Sequence, residues 1–261
     1  MFDFHLHSSV SFDSQTASAD ILKKAEEIGL KEICFTDHYD YNSDKNLKHD
    51  LFSLEDYSKA YDSLKSDKVK ILKGVEFGLT LWNKIEFEKL ITERDFDYVI
   101  GSVHYVNGHD PYEKEYWDGI SLKEGYELYL KTILENVKIH DSFDVLGHLT
   151  YVSKSPNSPN PTPVAFEEFS DITDEIMKIL IQKGIGMEIN TSGVDKVGVF
   201  LPDTQYLKRF KELGGEIVTV GSDSHDALRV GQYSKEALKI LKDLFGYVCT
   251  FEKRRPIFHK L

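Results

Sequence analysis

The chain has 261 residues, 41% of them hydrophobic and 29% charged, enough to bury a core as one domain spanning residues 1–261. Its formal net charge of −12 argues against a nucleic-acid-binding face, and no run approaches the ~18 apolar residues of a membrane span. The N-terminus enters Phe2-Asp3-Phe4-His5 with no basic or apolar leader, so a cytoplasmic location is expected.

The first apolar run, Phe2–Leu6, reads as a strand ending in His5-Leu6-His7. Ile21, Leu22, Ala25 and Ile28 then share one helical face, which Gly29 stops. A second strand, Glu32–Thr36, runs into Thr36-Asp37-His38, and a third, Lys70–Phe77, carries Glu76 near its end. The fourth, Tyr98–Val103, leads into His104. A helical face of Leu122, Tyr126, Tyr129, Ile133 and Val137 precedes the fifth strand, Phe143–Gly147, which is followed by His148. Residues Ser153 to Pro163 hold four prolines and predict an irregular loop able to rim a site. Ile172, Ile176, Ile179 and Leu180, closed by Gly184, precede the sixth strand, Gly186–Ile189. Tyr206, Leu207, Phe210 and Leu213 precede the seventh, Glu216–Val220, which leads into Gly221-Ser222-Asp223-Ser224-His225. A last helical face, Ala237, Leu238, Leu241 and Leu244, precedes Gly246. Cys34 and Cys249 lie in apolar surroundings and are expected in the core, not in a disulfide.

Strand alternating with helix predicts an α/β fold with parallel strands and helices outside. Seven strands suggest a TIM-like barrel one unit short, with an open doubly wound sheet as the competing arrangement. In a parallel barrel the C-terminal strand ends share one face, so six chain-distant polar segments would converge there. Residues i and i+2 of a strand share a side, which allows His5 and His7 to share one ion, and Asp223 and His225 repeat that spacing. Glu76 on an apolar strand is costly to bury unpaired, and metal ions would justify it. Each histidine alone has an ordinary structural explanation; the convergence is what points to metals. Imidazole and carboxylate donors without cysteine suit zinc, iron or manganese, and several such ions would make a positive pocket fit for a phosphate monoester. His49, His109, His140 and His259 are expected as ordinary solvated side chains.

These motifs, in this order, resemble the PHP (polymerase and histidinol phosphatase) superfamily, and Phe96-Asp-Tyr-Val-Ile-Gly-Ser-Val-His-Tyr-Val106 with Trp117-Asp118 and Glu188-Ile-Asn-Thr-Ser-Gly193 is similar to its monofunctional histidinol-phosphatases. The resemblance implies a distorted seven-stranded (β/α)7 barrel with three divalent transition-metal ions (Zn, Fe or Mn). His5, His7, Glu76 and Asp223 would bind the first; Glu76, bridging, with His104 and His148 the second; and Asp13, His38 and His225 the third. It implies hydrolysis of L-histidinol phosphate, a step of histidine biosynthesis, by attack of a metal-bridging hydroxide. Asp223 and His225 are the expected catalytic residues, with Asp37 orienting a ligand. Where similar phosphatases are expected to grip phosphate with arginines, this chain has Lys154 and Lys196, which lack the bidentate fork. Asp40, Glu115 and Asp118 are candidates to receive the cationic groups of the substrate, with Trp117 or Tyr105 stacking on its ring. The partner expected is a small phosphorylated metabolite. The alternatives are a phosphoesterase of the same superfamily acting on another small phosphate or a nucleic-acid end, an amidohydrolase-type metal hydrolase, and a metal- or phosphate-binding protein without turnover. No motif marks an oligomeric interface.

Overall fold

A computed structural model describes residues 1–41 and 51–261; His49 lies outside them. Strands β1 (Phe2–Leu6), β2 (Glu32–Phe35), the short β3 (His38–Tyr39), β4 (Lys70–Gly78), β5 (Tyr98–Ser102), β6 (Val145–Leu146), β7 (Gly186–Asn190) and β8 (Val218–Gly221) build the sheet. Its order is β1-β2-β4-β5-β6-β7-β8, all parallel, with β3 beside the end of β4. The open-sheet alternative is ruled out because the ends meet. Asp223 N donates to His5 O at 2.9 Å and His7 N to Ser224 O at 2.9 Å, joining the end of β8 to β1. The result is a distorted seven-stranded TIM-like barrel.

The helices are α1 (Ser18–Glu27), α2 (Leu54–Tyr61), α3 (Lys84–Glu93), α4 (Leu122–Ile139), α5 (Phe166–Lys183), the single turn α6 (Val194–Val197), α7 (Thr204–Glu212) and α8 (Ser234–Leu244). The long ones begin and end where local chemistry dictates. Ser121 and Glu124 form a reciprocal capping box at the start of α4, and α5 ends at Gly184 in the left-handed conformation (φ 70°). No helix among the described residues is long and apolar enough to cross a membrane. The loop from Ser155 onward is irregular, as its prolines predict, after a 3-10 turn over Tyr151–Lys154. Cys34 and Cys249 are both free and buried.

Side chains from strands that are not neighbours fill the barrel. The Phe4 and Tyr98 rings meet edge-on at 5.6 Å, and the Tyr98 hydroxyl lies 3.1 Å from Thr219 Oγ1. Phe4 and His5 are consecutive, yet both reach across the interior, which a regular strand forbids. The register of β1 on β2 shifts between Asp3 and Leu6, and this irregularity brings both inward.

The pattern-based reading omits a C-terminal hairpin, β9 (Tyr247–Glu252) and β10 (Arg255–Lys260). Its two turn residues, Lys253 and Arg254, both have positive φ (50° and 63°), a conformation usually signalled by Asn-Gly. Tertiary bonds hold it: Lys253 N donates to Asp97 Oδ1 at 3.1 Å, and Arg254 pairs with Asp144. The Phe251 ring lies 4.9 Å from that of Tyr98, so the hairpin packs against the barrel interior. Two histidines expected in solvent are corrected. His140 is buried at the end of α4, its Nε2 2.8 Å from Thr80 O, and His259 lies partly buried on β10 with its ring 4.6 Å from Phe2. His109 is exposed, as expected.

Candidate metal centre

The strand ends bring His5, His7, His38, Glu76, His104, His148, Asp223 and His225 to one face of the barrel, where Asp13 joins them from the Ser8–Ser14 loop. Glu76 is fully buried at the centre, and its two oxygens face different partners. Oε2 lies 3.2 Å from His5 Nε2, 3.5 Å from His7 Nε2 and 3.0 Å from His38 Nδ1. Oε1 lies 2.8 Å from His148 Nε2 and 3.2 Å from His104 Nε2, and accepts from Ser102 Oγ at 2.6 Å.

Several of these atoms have no hydrogen-bond partner among the described residues although they are buried: His5 Nε2, His7 Nε2, His38 Nδ1 and Glu76 Oε2. Leaving each unsatisfied costs about 1–3 kcal/mol, so the arrangement makes physical sense around cations. The spacing fits one. Ligands about 2.0–2.1 Å from a tetrahedral ion lie about 3.3 Å from each other. His5 Nε2 and His7 Nε2 sit 3.2 and 3.5 Å from Glu76 Oε2, and 3.7 and 3.3 Å from Asp223 Oδ1. Asp13 Oδ2 lies 2.9 Å from His225 Nε2 and 3.5 Å from His38 Nε2, which gathers a third donor set. The triads His5–His7–Asp223, His5–Glu76–His148, His7–His38–His225 and His38–Asp40–His104 each converge closely enough to hold an ion.

Groups behind the donors set which nitrogen faces the cluster. A carboxylate can only accept, so His5 donates Nδ1–H to Glu188 Oε1 (2.7 Å) and turns its Nε2 inward. His104 does the same through Asp40 Oδ2 at 2.8 Å. His7 Nδ1 lies 3.1 Å from Ser11 Oγ, which in turn donates to Asp37 Oδ1 at 3.1 Å. Asp37 is buried and also accepts from Ser8 N and Tyr61 OH, so its carboxylate meets the cluster through Ser11, while its backbone carbonyl accepts from Glu76 N at 3.1 Å. Burial opposes charge on His5, but Glu188, Glu76 and Asp223 outweigh it and raise its pKa well above the ordinary value. His7, buried and facing His225 and His38, is pushed well below. Burial likewise opposes charge on Glu76, yet His5, His104 and His38 hold its carboxyl far below the usual range.

Local backbone yields to the cluster. Asp223 adopts a left-handed φ of 54°, which aspartate tolerates better than most residues. A Cβ at Gly221 would lie 2.2 Å from Glu188 Oε1 and 2.3 Å from His5 Cβ, so only glycine lets β8 approach that pair.

A cavity of about 440 Å³ opens over the donors. Of the residues expected to touch substrate, Asp40, Tyr105 and Lys154 line it. Lys154 Nζ is 2.8 Å from Asp223 Oδ2 and 2.9 Å from Ser192 Oγ. Lys196 does not line it; it is exposed on α6. Asp40 is committed to His104 through one oxygen. Trp117 is corrected to a core residue: its indole N–H donates to Pro111 O and Ser155 Oγ, and its ring packs on Gly125. Glu115 and Asp118 flank that anchor and point to solvent, away from the cavity. Sequence reasoning assigned no role to Glu188, nor to Phe12, Asp110, Tyr112 and Tyr151, all four on the cavity wall. Glu188 could have been found as Glu76 was, since it is an acid within an apolar strand.

The PHP domain family matches residues 3–192. A probable histidinol-phosphatase of Clostridium acetobutylicum is 35% identical over 97% of this chain and 98% of its own. The histidinol-phosphatase of Lactococcus lactis is 34% identical over 95% of this chain and 93% of its own. The crystal structure of a histidinol phosphate phosphatase from the latter organism, complexed with zinc, L-histidinol and phosphate, superposes with a TM-score of 0.87 at 30% identity, covering 98% of both chains. The chain therefore belongs to the PHP domain family, in the group that carries the histidinol-phosphatase name.

Proposed function

We infer that this chain is a metal-dependent phosphomonoesterase that hydrolyses L-histidinol phosphate to L-histidinol and phosphate. The observation that carries the reading is the buried Glu76 carboxylate, shared oxygen by oxygen between two groups of histidines, in a chain similar along its length to a solved phosphatase holding zinc, histidinol and phosphate. His5, His7, Glu76 and Asp223 would hold one divalent ion, Glu76, His104 and His148 a second, and Asp13, His38 and His225 a third; zinc, iron and manganese suit these donors. Bound there, such ions supply positive charge opposite the phosphate oxygens and make a nearby water acidic enough to act as nucleophile at neutral pH.

The protein's own groups do the positioning. Glu188, Asp40 and the Ser11–Asp37 pair fix three imidazoles with their Nε2 atoms inward. Lys154 spends two N–H donors on Asp223 and Ser192, and an ammonium has three, so one remains for a phosphate oxygen. Burial opposes its charge, but the Asp223 carboxylate beside it outweighs this and raises its pKa.

The direct test compares phosphate release from L-histidinol phosphate, p-nitrophenyl phosphate and a 5′-nucleotide, with metal content measured on the same sample. A kcat/KM of at least ~10⁴ M⁻¹s⁻¹ is expected for histidinol phosphate, well above the others. Chelation should abolish it and added zinc restore it. Slow turnover of all three at near-full metal occupancy would overturn the substrate. For Glu188→Gln, whose amide cannot serve both His5 and the His148 backbone N–H as the carboxylate does, zinc affinity should fall about 10–100-fold. Activity titrated against free zinc would show this as a rightward shift recovered at saturation. A loss that zinc cannot recover would mean that Glu188 does more than hold His5.

A further inference from the structure

The segment after β8, residues 222–231, carries two of the candidate metal donors, Asp223 and His225, and holds Asp223 in the left-handed conformation (φ 54°). Asp3, fully buried on β1, is bonded to both ends of it. Its Oδ1 accepts from Ser222 N at 2.9 Å, and its Oδ2 from Ser222 Oγ at 2.6 Å and Gly231 N at 2.8 Å. A longer bond, 3.4 Å, runs from His5 N to Oδ1. All four donors are neutral. A carboxylate buried among neutral groups is costly to keep, whereas an apolar side chain is not. What the carboxylate supplies instead is geometry. Ser222 stands one residue before Asp223 and Gly231 closes the segment, so one short side chain ties both ends to β1.

The same strand carries His5, and His7 follows it directly. Asp223 N donates to His5 O and His7 N to Ser224 O, both at 2.9 Å, so strand and loop are laced together around the first donor set. Farther along, Ser14 Oγ and Thr16 Oγ1 both donate to His225 O, at 2.9 and 3.0 Å. Asp3 acts on the donors only through this backbone, since its own oxygens are bonded to Ser222, Gly231 and His5 N. The second donor group has a different origin. Glu76, His104 and His148 come from β4 and from the ends of β5 and β6, and do not depend on the path of the β8 loop.

Resting on the metal reading above, we infer that Asp3 is a positioning residue. It fixes the β8 loop so that Asp223 reaches the first ion and His225 the third, while the second ion is held without it.

The test reads zinc affinity before rate. Wild type and Asp3→Asn are stripped of metal, checked for folding by near-ultraviolet circular dichroism, and titrated with zinc against a chromophoric chelator. An amide can serve the donors of only one oxygen, so its nitrogen must face either Ser222 N or Gly231 N, and one end of the loop is released. Asp3→Asn should weaken the zinc bound through Asp223 and His225 by about 10-fold or more, the size expected for groups that orient metal ligands, and leave one ion per chain within about twofold of its wild-type affinity. Activity should recover at saturating zinc. Weakening of every ion alike, or a lower melting temperature of the metal-free protein with zinc affinity unchanged, would make Asp3 merely structural and overturn the proposal. Ser222→Ala removes the hydroxyl bond and keeps the backbone ones, and should show the same selective pattern at about threefold. If Asp3→Asn does not fold, wild-type zinc affinity in Ser222→Ala overturns the proposal. A wild type that binds no zinc overturns the metal reading and, with it, the proposal. If the wild type binds zinc and Asp3→Asn binds it identically, the proposal alone fails.

Discussion

Glu76→Gln should lower kcat/KM for histidinol phosphate by at least ~10³-fold, about 4 kcal/mol of transition-state stabilisation, and leave the protein short of metal. The substitution preserves shape, so the loss comes from charge and donor chemistry. Glu76 is fully buried, with Oε2 turned to His5, His7 and His38 and Oε1 to His104, His148 and Ser102. An amide can offer an oxygen to only one of these groups and must aim N–H donors at the other. Placed toward Oε1, the amide nitrogen also meets the Ser102 hydroxyl, which now donates there. Either orientation removes a ligand from one donor set and the negative charge from both. Metal content per chain, read with the rate on one preparation, decides the point. Full metal occupancy with a rate within tenfold of the wild type would mean that Glu76 is not the shared ligand.

The sequence reveals this part of the site because a barrel converts strand ends into neighbours. His5, His7, Glu76, His104, His148, Asp223 and His225 each stand within or just after an apolar run, so locating the strand locates the side chain. Glu188 lies in such a run too, but its partner, His5, is 183 residues away, and nothing local says that the two would meet. The opposite wall of the cavity was harder to read because loops build it. Asp110 returns to the site through a turn at Asn107-Gly108, a dipeptide that is itself a hairpin signal, but the direction of the returning chain depends on where Tyr151 and Trp117 pack. Trp117 looked available for stacking, yet two hydrogen bonds and a glycine hold it in the core, and that turns Glu115 and Asp118 outward. The C-terminal hairpin escaped because Lys253-Arg254 lacks the composition its backbone calls for, and bonds to Asp97 and Asp144 hold it in place. The pattern is physical: periodicity reports elements whose burial is local, whereas the wall of a site depends on contacts between distant segments.

Lys154→Met is expected to cost about 10²–10³-fold in kcat/KM, roughly 3–4 kcal/mol, on histidinol phosphate and p-nitrophenyl phosphate alike. Methionine replaces much of the apolar stem and leaves the 5.0 Å approach over the Tyr151 ring occupied, so packing is largely kept. What disappears is the one lysine on the cavity wall among the described residues, with its remaining N–H. Because phosphate is common to both substrates, both should suffer. Metal content is expected to stay level: Asp223 loses a competing cation and becomes, if anything, a better ligand. Burial opposes the charge on Lys154, and the Asp223 carboxylate beside it restores it. Lys154→Arg should recover part of the rate, since a guanidinium keeps the charge but must fit its fork where an ammonium now bridges Asp223 and Ser192. A Lys154→Met variant within threefold of the wild type would show that the lysine serves Asp223 alone and that phosphate is held by the metal ions without it.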